Sequence, residues 1–355
     1  MKALLRMFPV YLLLGLLALA VALAAVVGSA QAQSGAGLAD GIVGPGESIQ
    51  AAVGAADPGD TIVVRGVHRE NVVIRKNGIS LRGAGAVLRP PASQNAPCGP
   101  SGICLLGDVD FQTGEVSRRV SGVSVSGFTV RGFEDTGIIA LGARDASFVA
   151  NRAFGNGEYG IAAFSSTGTR VVANDTRGGG TAGIYIGDAS NANASIRAND
   201  TSDNELGIFI RNARQGTIAG NNIHGNCQGV LFLADAPGPS GNFAVKGNAV
   251  RNNTKACPPE DGVPPLSGAG LTLAGARGVE ITGNQITGNA ASGPSVFSGG
   301  VVVVRGIGGT APVNNSVSAN AILRNDPDIF WDESGTGNRF ANNRCETSVP
   351  ARLCG

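Results

Sequence analysis

Val172-Ala173-Asn174 runs on to Gly183-Ile184-Tyr185-Ile186, and Arg197-Ala198-Asn199 runs on to Gly207-Ile208-Phe209-Ile210. The same phrase occurs before them, from Val149-Ala150-Asn151 to Gly160-Ile161. It occurs again after them, from Ile218-Ala219-Gly220-Asn221 to Gly229-Val230-Leu231-Phe232. Gly137, Gly160, Gly183 and Gly207 stand 23, 23 and 24 residues apart, and Asn151, Asn174, Asn199 and Asn221 stand 23, 25 and 22 apart. Two columns that hold one pitch mark a repeat in which each unit buries its apolar face only against its neighbours.

The unit is too short for a helical-hairpin repeat of about 34 residues, and it lacks the spaced leucines of a leucine-rich repeat. Its apolar runs alternate (Ile184, Ile186; Ile208, Ile210; Leu271, Leu273) between clusters of Gly, Asn, Asp and Ser, which is strand and turn chemistry. Three short strands per unit make one coil, and coils stack with parallel strands about 4.8 Å apart. In this reading the Asn column sits at a tight turn, tolerating the left-handed region and bonding to the next coil. The Gly column lets the chain enter the following strand without a Cβ clash. Crossovers between parallel strands are right-handed, so the solenoid is expected to be right-handed too.

Further units follow at Val245-Lys246-Gly247-Asn248, Ile281-Thr282-Gly283-Asn284, Ala319-Asn320 and Phe340-Ala341-Asn342. Upstream, Val123 to Val130 and Ile79 to Gly83 fit with Gly127 and Gly83 in the Asn position. Roughly ten coils give a rod some 45–50 Å long. Two spans exceed what a coil needs, Ala234 to Ser267 and Ala290 to Ser298. Such excursions map to loops on one face, often a binding face.

Residues 1–32 read as a signal peptide: Lys2 and Arg6 form a basic start, Val10 to Val27 an apolar core, and Ala30-Gln31-Ala32 a cleavage site. The apolar run is also long enough for a retained anchor. A linker spans 33–45, the solenoid 46–344 and a tail 345–355. Gly46 to Ala56 reads as one amphipathic helix, with Ile49, Ala52, Val53 and Ala56 on one face, capping the open end of the solenoid. Thr61 to Val64 begins the first strand. Without Lys2 and Arg6 the chain carries 25 basic against 26 acidic residues. That balance supplies no general field for nucleic acid or an acidic membrane, so any attraction to an acidic polymer must be local.

Six cysteines in an exported chain are expected to form disulfides. Cys227 and Cys257 fall in equivalent turns one coil apart, within disulfide range. Cys98 with Cys104 and Cys345 with Cys354 then close short local loops. No Cys-x-x-Cys spacing suggests a metal site.

Pro45 to Val53, Pro58 to Val64, Glu70 to Ile74 and Gly78 to Gly83 resemble the N-terminal module of right-handed parallel β-helix proteins of the pectin-lyase-like superfamily. The repeats resemble the same superfamily, including its NosD-like and carbohydrate-binding/sugar-hydrolase β-helix modules. The resemblance spans nearly all of the mature chain. It implies an all-β, right-handed parallel β-helix of about ten coils with an N-terminal cap helix, secreted or extracytoplasmic, with polysaccharide as partner. It does not choose an activity, because fold alone does not. The Gly-His-Gly and paired aspartates of polygalacturonases are missing, and the Asp-Pro-His-Asp of mannuronan epimerases has only an echo at Asp326-Pro327-Asp328. A NosD-like accessory role in copper maturation would want soft ligands. The mature chain has no Met, and its two histidines, His68 and His224, are far apart in sequence.

In Gly-apolar-x-apolar the middle residue faces outward, giving the file Ile139, Ala162, Tyr185, Phe209, Leu231, Thr272, Val302, Phe330. Tyr185 and Phe209 on adjacent coils are candidate exposed platforms for sugar rings, or else an aromatic ladder packed beneath an excursion. Just beyond the strands come Asp188, Arg211, Asp235, Arg305 and Asp332. A lyase or epimerase of uronic acids needs a cation for the carboxylate and a base for the C5 proton. Arg211 between Asp188 and Asp235 is the best local group for this, with Arg305 and Asp332 as further substrate contacts; the alternative is a ladder of salt bridges. His68 is expected on the surface, and His224 in a surface turn. Asp326, Asp328, Asp332 and Glu333 are the one cluster suited to calcium, although EF-hand spacing is absent; no other cofactor is implied. Three functions result: an enzyme of uronic-acid polymers, a non-catalytic binding or surface protein, and a NosD-like accessory factor.

Overall fold

The computed structural model describes residues 41–94, 97–235, 238–260 and 263–354; the signal peptide and most of the linker lie outside them. The chain winds as a right-handed parallel β-helix with three sheets. Sheet A carries the strand before each Asn turn, sheet B the strand after it, and sheet C the strand that follows the second turn. Sheet B stacks ten strands from Val67–Arg69 to Ala321–Leu323 in one parallel ladder. Sheets A and C join through one long strand, Leu206–Ala219, which leaves sheet C and bends into sheet A.

Register is held residue for residue. Ile161, Ile184, Ile208, Val230, Leu271 and Val301 pair in sequence along sheet C, and all six are buried in the interior. Phe148, Val171, Ile196, Ile218, Val245 and Ile281 form the matching file of sheet A. Each such side chain removed from water contributes roughly 1.5–3 kcal/mol, and the partners that bury it belong to the coils above and below.

The Asn columns are hydrogen-bonded ladders. Asn151, Asn174, Asn199, Asn221, Asn248, Asn284, Asn320 and Asn343 each accept, on Oδ1, from the residue one coil earlier; from Asn174 onward, that coil's backbone N–H and side-chain amide both donate at 2.9–3.1 Å. A second ladder runs through Asn204, Asn226, Asn253, Asn289 and Asn325. It ends on Asp328, whose Oδ1 accepts from the backbone N–H and amide of Asn325.

Three expectations about these turns need correction. The left-handed residue is not the Asn but the small residue before it: Ala150, Ala173, Ala198 and Ala319 have φ of 52–56°. Asn is placed where its amide reaches two coils, and a small neighbour takes the strained backbone. For the same reason Gly127 is the left-handed residue and Phe128 occupies the Asn position, donating its N–H to Asn151. At the far end Asn342 is left-handed and Asn343 is the ladder member. The strand-entry glycines meet a steric limit: a Cβ on Gly207 would lie 2.6 Å from the Gly229 carbonyl oxygen of the next coil.

The cap helix is Ile49–Ala55, shorter than the span 46–56 because Ser48 is its N-cap, accepting from Ala51. Glu70 reinforces that end, accepting from the backbone N–H of Ile49 and Gln50. Ile49, Ala52 and Val53 bury against the first coil. At the other end, Leu353 is buried and the tail is fastened by Cys345–Cys354, with Cα atoms 5.5 Å apart. Cys98–Cys104 and Cys227–Cys257 span 5.8 and 6.0 Å between Cα atoms. The long span from Ala234 divides into a turn after sheet C and a flap before it, separated by strands Gly241–Lys246 and Ala249–Arg251. No helix among the described residues is long and apolar enough to cross a membrane.

Candidate functional site

The outer face of sheet C carries a second apolar cluster, separate from the interior. Tyr159, Ala162, Tyr185, Leu206, Phe209, Leu231 and Val302 form it, with Cys257, Val263, Leu266 and Phe297 of the two excursions packed on or within it. Tyr185 and Phe209 are each only 1% exposed. They are not open platforms: their rings meet edge to face at 5.3 Å, and Tyr185 also packs on Tyr159 and Phe164 at 4.8 and 4.6 Å. Side chains that point away from a solenoid core are still buried once loops fold back over them, and an outward position alone does not reveal this. The half-buried Ile139, Leu141 and Phe164 form the accessible end of this face.

Tyr185 lies flat along the sheet because Gly187 follows two residues later; a side chain there would collide with the phenol hydroxyl. The hydroxyl is thereby brought toward Arg211, which occupies the next coil's position beside Gly187. Burial pushes the Tyr185 phenol well above its ordinary range, Asp188 adds to the rise and Arg211 opposes it. Tyr159 is raised for the same leading reason.

Arg211 and Asp235 are both buried and form a close pair: Nη2 donates to Oδ2 at 2.7 Å and Nε to the same oxygen at 3.1 Å. Asn212 donates its amide to Asp235 Oδ1 at 2.6 Å and accepts from the Asp235 backbone N–H. Burial works hardest against the Arg211 charge, but the hydrogen bond to Asp235 together with the neighbouring Tyr185, Asp235 and Asp188 outweighs it, and the guanidinium is held above its usual value. Asp188 stands exposed at the rim with a left-handed backbone. Protein crowding raises its carboxyl while Arg211 pulls it down. Arg211 thus pairs with Asp235, and Asp188 lies near enough for their charges to act on it. Arg305 and Asp332 do not join them: both are exposed, three and four coils from Arg211 respectively, where Asp332 accepts from the Arg305 backbone and caps Ser334.

The opposite rim of sheet C is acidic. Glu158 and Glu205 immediately precede Tyr159 and Leu206, which lie two coils apart in one file, and Asp135 lies one coil before Glu158. Glu158 accepts from the Thr181 hydroxyl at 2.7 Å, and Asp135 from Ser101 and Thr136. Burial, aided by Glu260 of the flap, pushes the Glu205 carboxyl up to about 7. The sequence reading passed over these residues, although Asp135, Glu158 and Glu205 precede the strand-entry glycines at repeat spacing.

His68 is buried rather than exposed, between the backbone carbonyls of Glu47 and Arg65. His224 pairs with Asp200 at 3.3 Å. The carboxylates considered for calcium have other partners: Asp328 ends the Asn ladder and accepts from Glu346, Asp332 caps its own turn, and Glu333 meets Arg352. No group of three or more metal-ligating side chains converges among the described residues.

The family model for the right handed beta helix region matches residues 57–205 and 136–315. The chain belongs to that right-handed β-helix family. No curated protein is similar enough in sequence to count as a relative. Among solved β-helix structures, the A-module of mannuronan C-5 epimerase AlgE6 from Azotobacter vinelandii is 20% identical, over 84% of this chain and 86% of its own, with a TM-score of 0.54. The Dettilon tailspike protein is 16% identical over 87% and 68%, with a TM-score of 0.54. DFA-IIIase from Arthrobacter chlorophenolicus A6, solved without its lid, is 14% identical over 85% and 94%, with a TM-score of 0.53. These likenesses establish a common β-helix, not a common activity.

Proposed function

We propose that the protein is extracytoplasmic and binds polysaccharide along the outer face of sheet C. The observation that carries this reading is the outer face of sheet C: half-buried Ile139, Leu141 and Phe164 lead onto the buried cluster of Tyr159, Tyr185 and Phe209, between the carboxylate rim of Asp135, Glu158 and Glu205 and the Arg211 group. Aromatic faces with hydrogen-bonding groups at both edges suit a sugar chain, whose rings are apolar above and below and polar at the margin. A glycan meets the face at the half-buried Ile139–Leu141–Phe164 end. Three disulfides support an oxidising compartment, and β-helix neighbours that include a mannuronan epimerase and a tailspike are consistent with a glycan partner.

One feature favours modification over binding alone: burial raises the Glu205 carboxyl to about 7, in the range suited to a general acid. The lyase or epimerase centred on Arg211 is less well supported, because Asp235 already neutralises the cation that a uronate carboxylate would need, and Tyr185 is a poor base when its phenol is raised. The test is incubation with pectate, alginate and hyaluronan, following both retention on the insoluble glycan and absorbance of unsaturated products. Retention without products supports binding; products that vanish in Arg211→Ala restore the lyase. Neither retention nor turnover on any glycan overturns the reading.

A further inference from the structure

The face of sheet B carries a feature that the sheet C groove does not use. Its outward third positions are Arg69, Arg89 and Arg131 on the first three coils, stacked directly in register. Arg69 and Arg131 are exposed, and the Nε of Arg89 has no hydrogen-bond partner. Like charges directly opposite one another on neighbouring strands oppose folding, and no carboxylate among the described residues pairs with any of the three. Midway along the sheet Arg177 is neutralised by Asp175, and the His224 imidazole lies 3.3 Å from Asp200. Five coils beyond Arg131, roughly 24 Å at the spacing of parallel strands, Arg251 in the same file lines an open cavity of about 300 Å³ with Thr287 and Arg324. Neither of these arginines has an ion-pair partner among the described residues.

We infer that sheet B is a docking track for an acidic polysaccharide, with Arg69, Arg89 and Arg131 at one end and the Arg251–Arg324 cavity at the other. Arginine forks match carboxylate and sulfate oxygens in two-point contacts, and a uronate polymer carries one carboxylate per sugar, so its charges recur on the scale of stacked strands. The chain as a whole is near neutral, so attraction to a polyanion must come from local groups such as this file. Nucleic acid fits less well: Phe154 lies beneath the Arg177 guanidinium at 5.7 Å and the His224 imidazole is held by Asp200, so neither ring of the file is a free platform for bases. Two cationic ends this far apart select a polymer, because a sugar that fills one end cannot reach the other.

The inference rests on the polysaccharide reading but not on the sheet C groove. Its test uses the mature chain, polygalacturonate, galacturonic acid, dextran and double-stranded DNA, with affinities measured at several salt concentrations. Arg131→Gln and Arg251→Gln are expected to weaken polygalacturonate binding about 3- to 10-fold each, and together multiplicatively. Each should also flatten the dependence of log affinity on log salt by about one unit of slope. Arg131→Lys should retain most of the slope, which separates charge from fold. Unchanged affinity in both Gln variants while wild type binds overturns the track and leaves the groove standing. Equal binding of dextran or of galacturonic acid overturns it as well. DNA bound as tightly as polygalacturonate replaces the polysaccharide with another polyanion, and a wild type that binds no glycan overturns the proposed function itself.

Discussion

Asn221→Ala is the sharpest perturbation of the solenoid. The Asn221 side chain lies mid-ladder and is 2% exposed. Its Oδ1 accepts from the Asn199 backbone N–H and amide, both at 2.9 Å, and its own amide donates to the Ile196 carbonyl at 3.1 Å and to Asn248 at 2.9 Å. Alanine removes all four bonds. Asn248 Oδ1 still accepts from the backbone of residue 221 and the Ile196 carbonyl keeps its place in the strand ladder, so two buried donors are orphaned: the Asn199 N–H and one Asn199 amide proton. At about 1–3 kcal/mol for each unsatisfied buried group, with partial relaxation, the loss is about 3–5 kcal/mol. Asn343→Ala removes the last rung, which is half-buried; water replaces its bonds and the loss is about 1 kcal/mol. Urea unfolding with matched m-values measures both. An Asn221→Ala cost no greater than that of Asn343→Ala would refute a ladder whose rungs depend on burial between two neighbours.

Glu205 makes stability depend on pH. Its carboxyl is raised from 4.5 to about 7 in the folded chain, so between those values the folded state holds a proton that the unfolded state has lost. Stability therefore falls as pH rises through that window, by at most about 3 kcal/mol. Glu205→Gln should abolish most of the fall between pH 4.5 and 7 and change little at pH 4, as melting curves across pH will read. Asp235→Ala leaves the buried Arg211 charge without its main partner and should cost about 3–5 kcal/mol, while Arg211→Met with Asp235→Leu should recover most of that loss. Replacing both Cys227 and Cys257 by Ser opens a loop with 30 residues between its ends. Chain entropy predicts a cost of about 3–4 kcal/mol and faster hydrogen exchange in the flap at 254–268.

Fold and disulfides were open to reading because a solenoid repeats its constraints. Each Asn must reach the coil on either side, each strand-entry Gly must clear a carbonyl, and each interior aliphatic must meet its like, so one periodic signal is written many times. Cys227 and Cys257 could be paired because register turned a separation of 30 residues into a step of one coil. The site is written once. Tyr185 and Phe209 occupy outward positions that sequence assigns correctly, but their burial among Tyr159, Phe164 and each other depends on side-chain packing that follows no repeat. The Arg211–Asp235 contact was anticipated as a neighbourhood. That Asp235 saturates the guanidinium depends on a turn that brings its carboxylate back over Arg211, and no spacing rule describes that turn. Glu205 was missed because a raised carboxyl is a property of what packs on it, here the flap bearing Glu260.

Affinity electrophoresis through native gels containing polygalacturonate, alginate or dextran tests the glycan partner most directly, with no assumption about turnover. Retardation by at least one acidic glycan, relieved by salt and reduced in Arg131→Gln with Arg251→Gln, is the predicted result. Mobility identical to that in an empty gel, for a folded chain with its disulfides intact, would contradict it.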